Sequence, residues 1–307
     1  MLDDTLSLPS FAKINWALHV LGRRPDNYHE LRTVFQTVTL HDRLHLTPRE
    51  HGRIEIRCDE PSIPVDESNL IYAAASALRE RYGRREGVRV YLEKRIPAGG
   101  GLGGGSSNAA VTLLGLAHLW RIETTRSELA ELGARLGADV PFFFTGGTAE
   151  GRGLGTQIKP LADVDETRLV IVTPGVKVLT AEAYKALSAP ALTKANGDIM
   201  LSISRADAQF PGFVPYNLHN DFEPVVLRLE PEIERAKKAL GQAGARATLL
   251  AGSGASVFGI FDNREAQERA AVLLDSERGW RVFSCQSLGR ATYIEALGTC
   301  GELLLER

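Results

Sequence analysis

A chain of 307 residues, 44% hydrophobic and 24% charged, is long enough for one large or two medium domains and can bury a substantial core. Its formal net charge of −2 argues against a general nucleic-acid or anionic-membrane surface, so an anionic small molecule has to be met by local groups. No apolar run approaches transmembrane length, and the acidic start Met1-Leu2-Asp3-Asp4 is unlike a signal peptide; the scattered Cys58, Cys285 and Cys300 suggest a reducing cytoplasm and neither a disulfide framework nor a zinc site.

Taken in order, residues Ala12 to Leu21 alternate as a half-buried strand, with Ala12, Ile14, Trp16, Leu18 and Val20 on one face. The alternation sets Lys13 and Asn15 side by side on the other face, where a solvated strand surface is the simplest reading. Gly22 to Asn27 is dense in breakers and reads as a turn, Tyr28-His29-Glu30 leaves it, and Leu31 to Val38 returns as a strand. His41 and His45 are four apart, but Asp42-Arg43 between them reads as a turn, which argues against a metal site on a helix. Leu44–Leu46 and Arg53–Cys58 look like short strands. Asn69 to Tyr82 has a helical apolar face, and Val88–Leu92 alternates as a strand.

That strand leads into Pro97-Ala98-Gly99-Gly100-Gly101-Leu102-Gly103-Gly104-Gly105-Ser106-Ser107-Asn108, which holds six glycines and two serines. Glycine brings no side chain to pack and costs backbone entropy, so such a run serves close backbone approach to a ligand. The apolar segment Ala109–Leu116 that follows is a helix former. The loop therefore empties into a helix N-terminus, whose free N–H groups and dipole favour an anion, and the whole reads as a phosphate cradle. It is not a Walker A loop, since no lysine follows the glycines. A dinucleotide pattern at Gly99, Gly101 and Gly104, with Glu123 near the ribose offset, is weak in a run this rich in glycine.

Further on, Thr125-Arg126-Ser127-Glu128 is a capping box opening a helix that Gly137 ends. In Gly137-Ala138-Asp139-Val140-Pro141, spacing alone favours a turn or N-cap aspartate. Gly146 to Gly153 reads as a hairpin. Polar, breaker-rich residues near Pro160 to Glu166 suggest a boundary between domains 1–162 and 163–307. The second half reads as strand Arg168–Thr173, a helix from Thr180, helices across Asn196–Gly241, strands Ala245–Ala251 and Ser256–Phe261, helix Arg264–Asp275, and strands Arg281–Cys285 and Thr292–Leu297. That order is similar to a βαββαβ unit with an inserted helical arm.

The glycine run resembles the second motif of the GHMP kinases, the family of galactose, homoserine, mevalonate and phosphomevalonate kinases. Ala12-Lys13-Ile14-Asn15 resembles the family's first motif, with Phe11 where proline is usual, and Gly252-Ser253-Gly254-Ala255 through Gly259 the third. The triple glycines and Pro25-Asp26-Asn27-Tyr28-His29-Glu30-Leu31, where Asn27 replaces a glycine, look like the branch that phosphorylates a cytidine diphosphate-linked polyol on the non-mevalonate route to isoprenoids. The resemblance implies an α+β, two-domain GHMP kinase fold, ribosomal-protein-S5-like in the N-terminal domain and ferredoxin-like with a helical insertion in the C-terminal domain. It implies Lys13 and Asp139 as catalytic residues. Pro97 to Ser107 would bind the ATP phosphates, with Asn69 and Lys94 near the adenine. Asn15 would contact the polyol, and Tyr28, His29 and Tyr184 the cytidine. ATP is the expected co-substrate, with Mg²⁺ whose ligands the sequence does not single out; Ser107 and Glu150 are candidates. The expected partner is a small molecule, neither nucleic acid nor membrane. Another kinase of the same superfamily, a nucleotide-binding regulatory protein without catalysis and a dinucleotide oxidoreductase are the rival readings.

Overall fold

A computed structural model describes residues 5–187, 189 and 218–305; of the helices expected across Asn196–Gly241, the part over 196–217 lies outside the described residues. The chain opens with two long antiparallel strands, β1 (Leu6–Arg23) and β2 (His29–Arg49), joined by the predicted turn, in which Asn27 takes φ 67. Asparagine tolerates that left-handed conformation better than most residues, which is why it can stand in for glycine there. Strands β3 (Ile54–Cys58) and β4 (Gly87–Glu93) extend the sheet beyond the second half of β2. β5 (Thr148–Gly153) pairs with the first half of β2, and β6 (Gln157–Pro160) with β5.

Helices α1 (Leu70–Arg81), α2 (Gly104–Leu119) and α3 (Arg126–Leu136) cover this sheet. α2 is buried continuously from Ser107 to Ala117, so it is the central helix of the first core and gives the glycine run a rigid seat. It also starts earlier than expected. Gly103 takes φ 70 and ends the loop, and Gly104 to Asn108 are already helical. The orphan N–H groups of the first turn therefore belong to glycines and a serine, with little side chain in front of them.

The second sheet has the order β11-β7-β10-β9, from β7 (Arg168–Pro174), β9 (Ala247–Leu250), β10 (Val257–Phe261) and β11 (Trp280–Gln286). Its outer face is covered by α4 (Thr180–Leu187), α5 (Glu223–Leu229), α6 (Pro231–Gln242) and α7 (Arg264–Asp275). This is the expected ferredoxin-like order. Both faces of β7 are buried: Leu169 and Ile171 pack toward β1 and β2, Val170 and Val172 toward the helices, which explains an apolar run without alternation. A two-residue strand, β8 (His219–Asn220), runs parallel to β1 and ties the second unit to the first sheet.

Three expectations are corrected. Gly146 to Gly153 is not a hairpin: Thr148–Gly153 is the single strand β5, and the chain reverses after it, before β6. Asp42-Arg43 is not a turn: residues 41–46 lie inside β2, paired with β1 and in part with β4. Thr292–Leu297 is not a strand: Arg290–Ala296 is a helix, α8, continued by a 3₁₀ segment at Gly298–Leu304. Tyr293, Leu297, Cys300 and Leu304 recur at helical spacing and all bury in the first core, so tertiary packing selects the helix.

Tyr293 is 1% exposed and its hydroxyl donates to Phe143 O at 2.6 Å. Tyr293→Ala is expected to destabilise the protein by about 3–5 kcal/mol, the usual cost of emptying a large aromatic site. Tyr293→Phe, which leaves the Phe143 carbonyl unsatisfied, is expected to cost about 1–3 kcal/mol. Denaturant unfolding monitored by circular dichroism measures both, and a loss below 1 kcal/mol for the alanine variant would contradict this packing.

Candidate active site

β1 is irregular in its pairing with β2 between Phe11 and Lys13 and again between Asn15 and Ala17. Lys13 and Asn15 are not on a solvated face: both are buried, and each side chain is held by the next. Lys13 Nζ donates to Asn15 Oδ1 at 2.9 Å, Asn15 Nδ2 to Thr33 Oγ1 at 2.7 Å, and Thr33 Oγ1 to the Ala17 carbonyl at 2.7 Å. The Lys13 ammonium stands 5.5 Å from the Phe35 ring centroid and 3.2 Å from Asp139 Oδ2. Thr33, on the return strand and in register with Leu18, escaped the sequence reading, because the irregular pairing of β1 that brings it to Asn15 leaves no signal in the sequence.

Asp139 precedes the fully buried 3₁₀ segment Val140–Phe144, but its side chain makes no capping bond. The turn and N-cap position read from sequence are both there, since Val140 N–H donates to Gly137 O at 3.1 Å, but the side chain does no capping. Its carboxylate is one-third exposed and aims at Lys13. A rigid, apolar anchor behind an open carboxylate holds the charge in place while leaving it reachable.

The glycine loop separates two clefts of ≈ 350 Å³ each. The first is bordered by Asn69, Lys94 and the loop residues Pro97 to Ser106. Lys13, Asn15, Thr33, Asp139 and Tyr184 border the second, where Lys13 is the only basic side chain among the described residues. Gly101, Gly103 and Ser106 border both, so the wall between the clefts is one backbone thick. Lys13 N–H donates to Leu102 O at 2.9 Å, which fixes the lysine strand to that wall. Gly103 is needed twice: its φ is left-handed, and a β-carbon there would sit 2.8 Å from Lys13 Cγ.

The loop of the third motif packs on the same wall. Ala255 N–H donates to Gly99 O at 3.2 Å and Ser256 N–H to Gly100 O at 3.1 Å. At the loop's root the sequence reading missed Asp42. This wholly buried carboxylate accepts from Lys94 Nζ at 2.8 Å, from the Arg95 and Ile96 amides at 2.8 Å each, and from Asn108 Nδ2 at 3.0 Å. Burial pushes the Lys94 ammonium below the usual lysine range, and Asp42 opposes that shift.

Several expected ligand residues have other partners here. Asn69 borders the first cleft, but its side chain caps α1 at Ile71 N and donates to Pro64 O. Lys94 is bonded to Asp42 and to the Ile96 carbonyl. Ser107 is buried and accepts from Ser10 Oγ at 2.7 Å. Tyr184 borders the second cleft with its ring centroid 4.7 Å from that of His29, and edge-on to Phe222 at 4.7 Å. Burial and then the Asp139 charge push its hydroxyl up to about 12, while burial and then Arg23 push His29 below the usual histidine range. Tyr28 is 62% exposed, so the ring facing Tyr184 is that of His29 and not of Tyr28.

The chain matches the GHMP kinases N terminal domain over residues 69–147 and the GHMP kinases C terminal domain over 213–276. It is 40% identical over 285 residues to the 4-diphosphocytidyl-2-C-methyl-D-erythritol kinase of Syntrophus aciditrophicus, covering 92% of this chain and 99% of that one. It is 43% identical over 275 residues to the kinase of that name from Pseudomonas savastanoi pv. phaseolicola, covering 89% and 90%. The chain belongs to the 4-diphosphocytidyl-2-C-methyl-D-erythritol kinase family of GHMP kinases. A crystal structure of 4-(cytidine 5'-diphospho)-2C-methyl-D-erythritol kinase superposes with a TM-score of 0.74 at 36% identity, over 92% of this chain and all of the other.

The wall itself can be tested. A β-carbon on Gly101 would lie 2.0 Å from Ala251 O, whereas one on Gly105 meets nothing closer than 3.5 Å. Gly101→Ala is expected to lower the melting temperature and weaken ATP binding by about tenfold or more, since main chain must move. Gly105→Ala is expected to keep the wild-type melting temperature. Thermal unfolding and calorimetric ATP titration measure this; equal behaviour of the two variants would contradict the interlocked wall.

Proposed function

We propose that this protein transfers the γ-phosphoryl group of ATP to the C2 hydroxyl of 4-diphosphocytidyl-2-C-methyl-D-erythritol. The observation that carries the reading is the Lys13–Asp139 pair at 3.2 Å on the acceptor side of a glycine wall shared by two clefts. The three unpaired cysteines agree with action in a reducing cytoplasm, at an early step of isoprenoid synthesis.

Phosphoryl transfer needs in-line positioning and neutralised oxygen charge more than covalent help. The loop amides and the first turn of α2 hold the ATP phosphates from the donor side. The acceptor hydroxyl lies beside Asp139, which takes its proton as the new O–P bond forms and the bond to ADP breaks. Lys13 counters negative charge on the attacking oxygen, and Asn15 fixes the lysine's direction. The carbon carrying this hydroxyl also carries a methyl group, so orientation matters more than basicity. Tyr184 and His29 present the aromatic surface on which the cytosine ring stacks.

Mg²⁺ belongs to this reading as the companion of ATP. Neither of the candidate ligands borders the clefts: Ser107 is bonded to Ser10, and Glu150 is buried between Arg32 at 2.6 Å and Arg152 at 2.9 Å. Among the oxygen donors that do border them are Ser106 and the Asp139 carboxylate, which suit a hard cation that keeps several waters and binds mainly through phosphates. Bound there, the ion would supply charge neutralisation to the phosphate oxygens.

Because Asp139 makes no capping bond, Asp139→Asn is expected to keep the fold while lowering kcat by about 10²–10⁴-fold, the range for a positioned base. Near-normal turnover by folded variant would remove Asp139 from the mechanism. An acceptor panel with ATP tests the substrate: the cytidine diphosphate polyol is expected to be phosphorylated with the highest kcat/KM. Its uridine analogue, and mevalonate or homoserine, should be poor substrates, because mismatched groups leave buried partners unpaired. Equal use of the cytidine and uridine analogues would contradict base recognition, and preference for mevalonate or homoserine would contradict the substrate.

A further inference from the structure

Outside the lining of both clefts, two histidines and an aspartate converge where β1 meets β8. The His19 and His219 rings lie stacked, 4.4 Å between centroids and 13° between planes. His219 Nε2 and Asp221 Oδ1 are 2.6 Å apart. One nitrogen or oxygen from each of the three residues lies within 4.8 Å of the other two.

The backbone beneath them is fixed from several sides. His219 and Asn220 pair in parallel with Ala17 and Leu18, and Asp221 N–H donates to Leu18 O at 3.0 Å. Asn220 Nδ2 donates to Leu250 O at 2.9 Å and to Gly252 O at 2.7 Å. The second Asp221 oxygen accepts from Val20 N–H at 2.7 Å. With the backbone held, the movement that brings three donors onto one point falls to the side chains.

We propose that His19, His219 and Asp221 bind one divalent transition-metal ion of the zinc class. Two imidazoles and a carboxylate are the donor set of borderline cations; Mg²⁺ and Ca²⁺ prefer oxygen alone. Zinc sits about 2.0–2.2 Å from such donors, so the ion draws the three atoms together and turns the rings out of their stack. The Val20 amide on the other Asp221 oxygen is the outer-shell contact that orients a ligating carboxylate. His219 is half-exposed, which gives the ion access and leaves a coordination position for water.

The consequence is a brace and not a second active site, since none of the three residues borders either cleft. The ion would clamp β1, which carries Lys13 and Asn15, to β8, whose Asn220 holds the loop that packs on the glycine wall. Metal-depleted protein without ATP is the material for the test, with ZnCl₂ as the probe and MgCl₂ as the control. Calorimetry is expected to show one zinc ion per chain, and thermal unfolding a higher midpoint with zinc but not with magnesium. Co²⁺ in place of zinc is expected to give the visible ligand-field absorption of a low-symmetry nitrogen and oxygen site. His19→Ala and His219→Ala should each weaken zinc binding by more than about tenfold and abolish the thermal shift. Absence of stoichiometric zinc binding, or unchanged zinc affinity in the double alanine variant, would overturn the site.

Discussion

Gly101 and Gly254 meet backbone to backbone, and neither position has room for a side chain: a β-carbon on Gly254 would lie 2.1 Å from Gly101 N. The glycine loop is therefore clamped between two units and does not hang from one. Lys13 is tied to the same loop through Leu102 O, and α2, buried from Ser107 to Ala117, seats its far end. Amides that must face an anion without help from side chains need this outside support, because glycine itself contributes flexibility and not order. The clamp supplies the preorganisation that a row of amides needs before it can bind an anion.

Two aspartates show how burial sorts structural from chemical groups. Asp42 is inaccessible and accepts four hydrogen bonds, two from amides that lead into the loop. Removing one partner of such a buried pair costs about 3–5 kcal/mol, so Asp42 and Lys94 act as an anchor for the loop's root. Asp139 sits at the head of a buried turn yet spends no bond on it, and one-third of its carboxylate is exposed beside a buried ammonium. An acid with an unspent carboxylate, held rigidly opposite a cation, can take a proton from a bound hydroxyl.

Much of the candidate site was legible because its signals are local. Glycine content marks close backbone approach, period-two alternation paired Lys13 with Asn15, and the motifs around Asp139 and Gly252 kept their order along the chain. What escaped depends on distant partners. Asp42 looks like turn chemistry in sequence; in space it is a strand residue whose four donors come from residues 94–108. Arg290–Ala296 has no strong local preference, and only the first core, reached through Tyr293, makes it a helix. Tyr28 and His29 are neighbours in the chain, but only His29 turns toward Tyr184.

The central claim is direct transfer across the glycine wall, from a phosphate held on one side to a hydroxyl held beside Asp139 on the other. The stereochemical course at phosphorus tests it most directly, with ATP made chiral at the γ-phosphorus by oxygen isotopes and the phosphorylated product analysed for configuration. A single in-line displacement predicts inversion. Retention would require two displacements through a phosphorylated enzyme and would contradict the account.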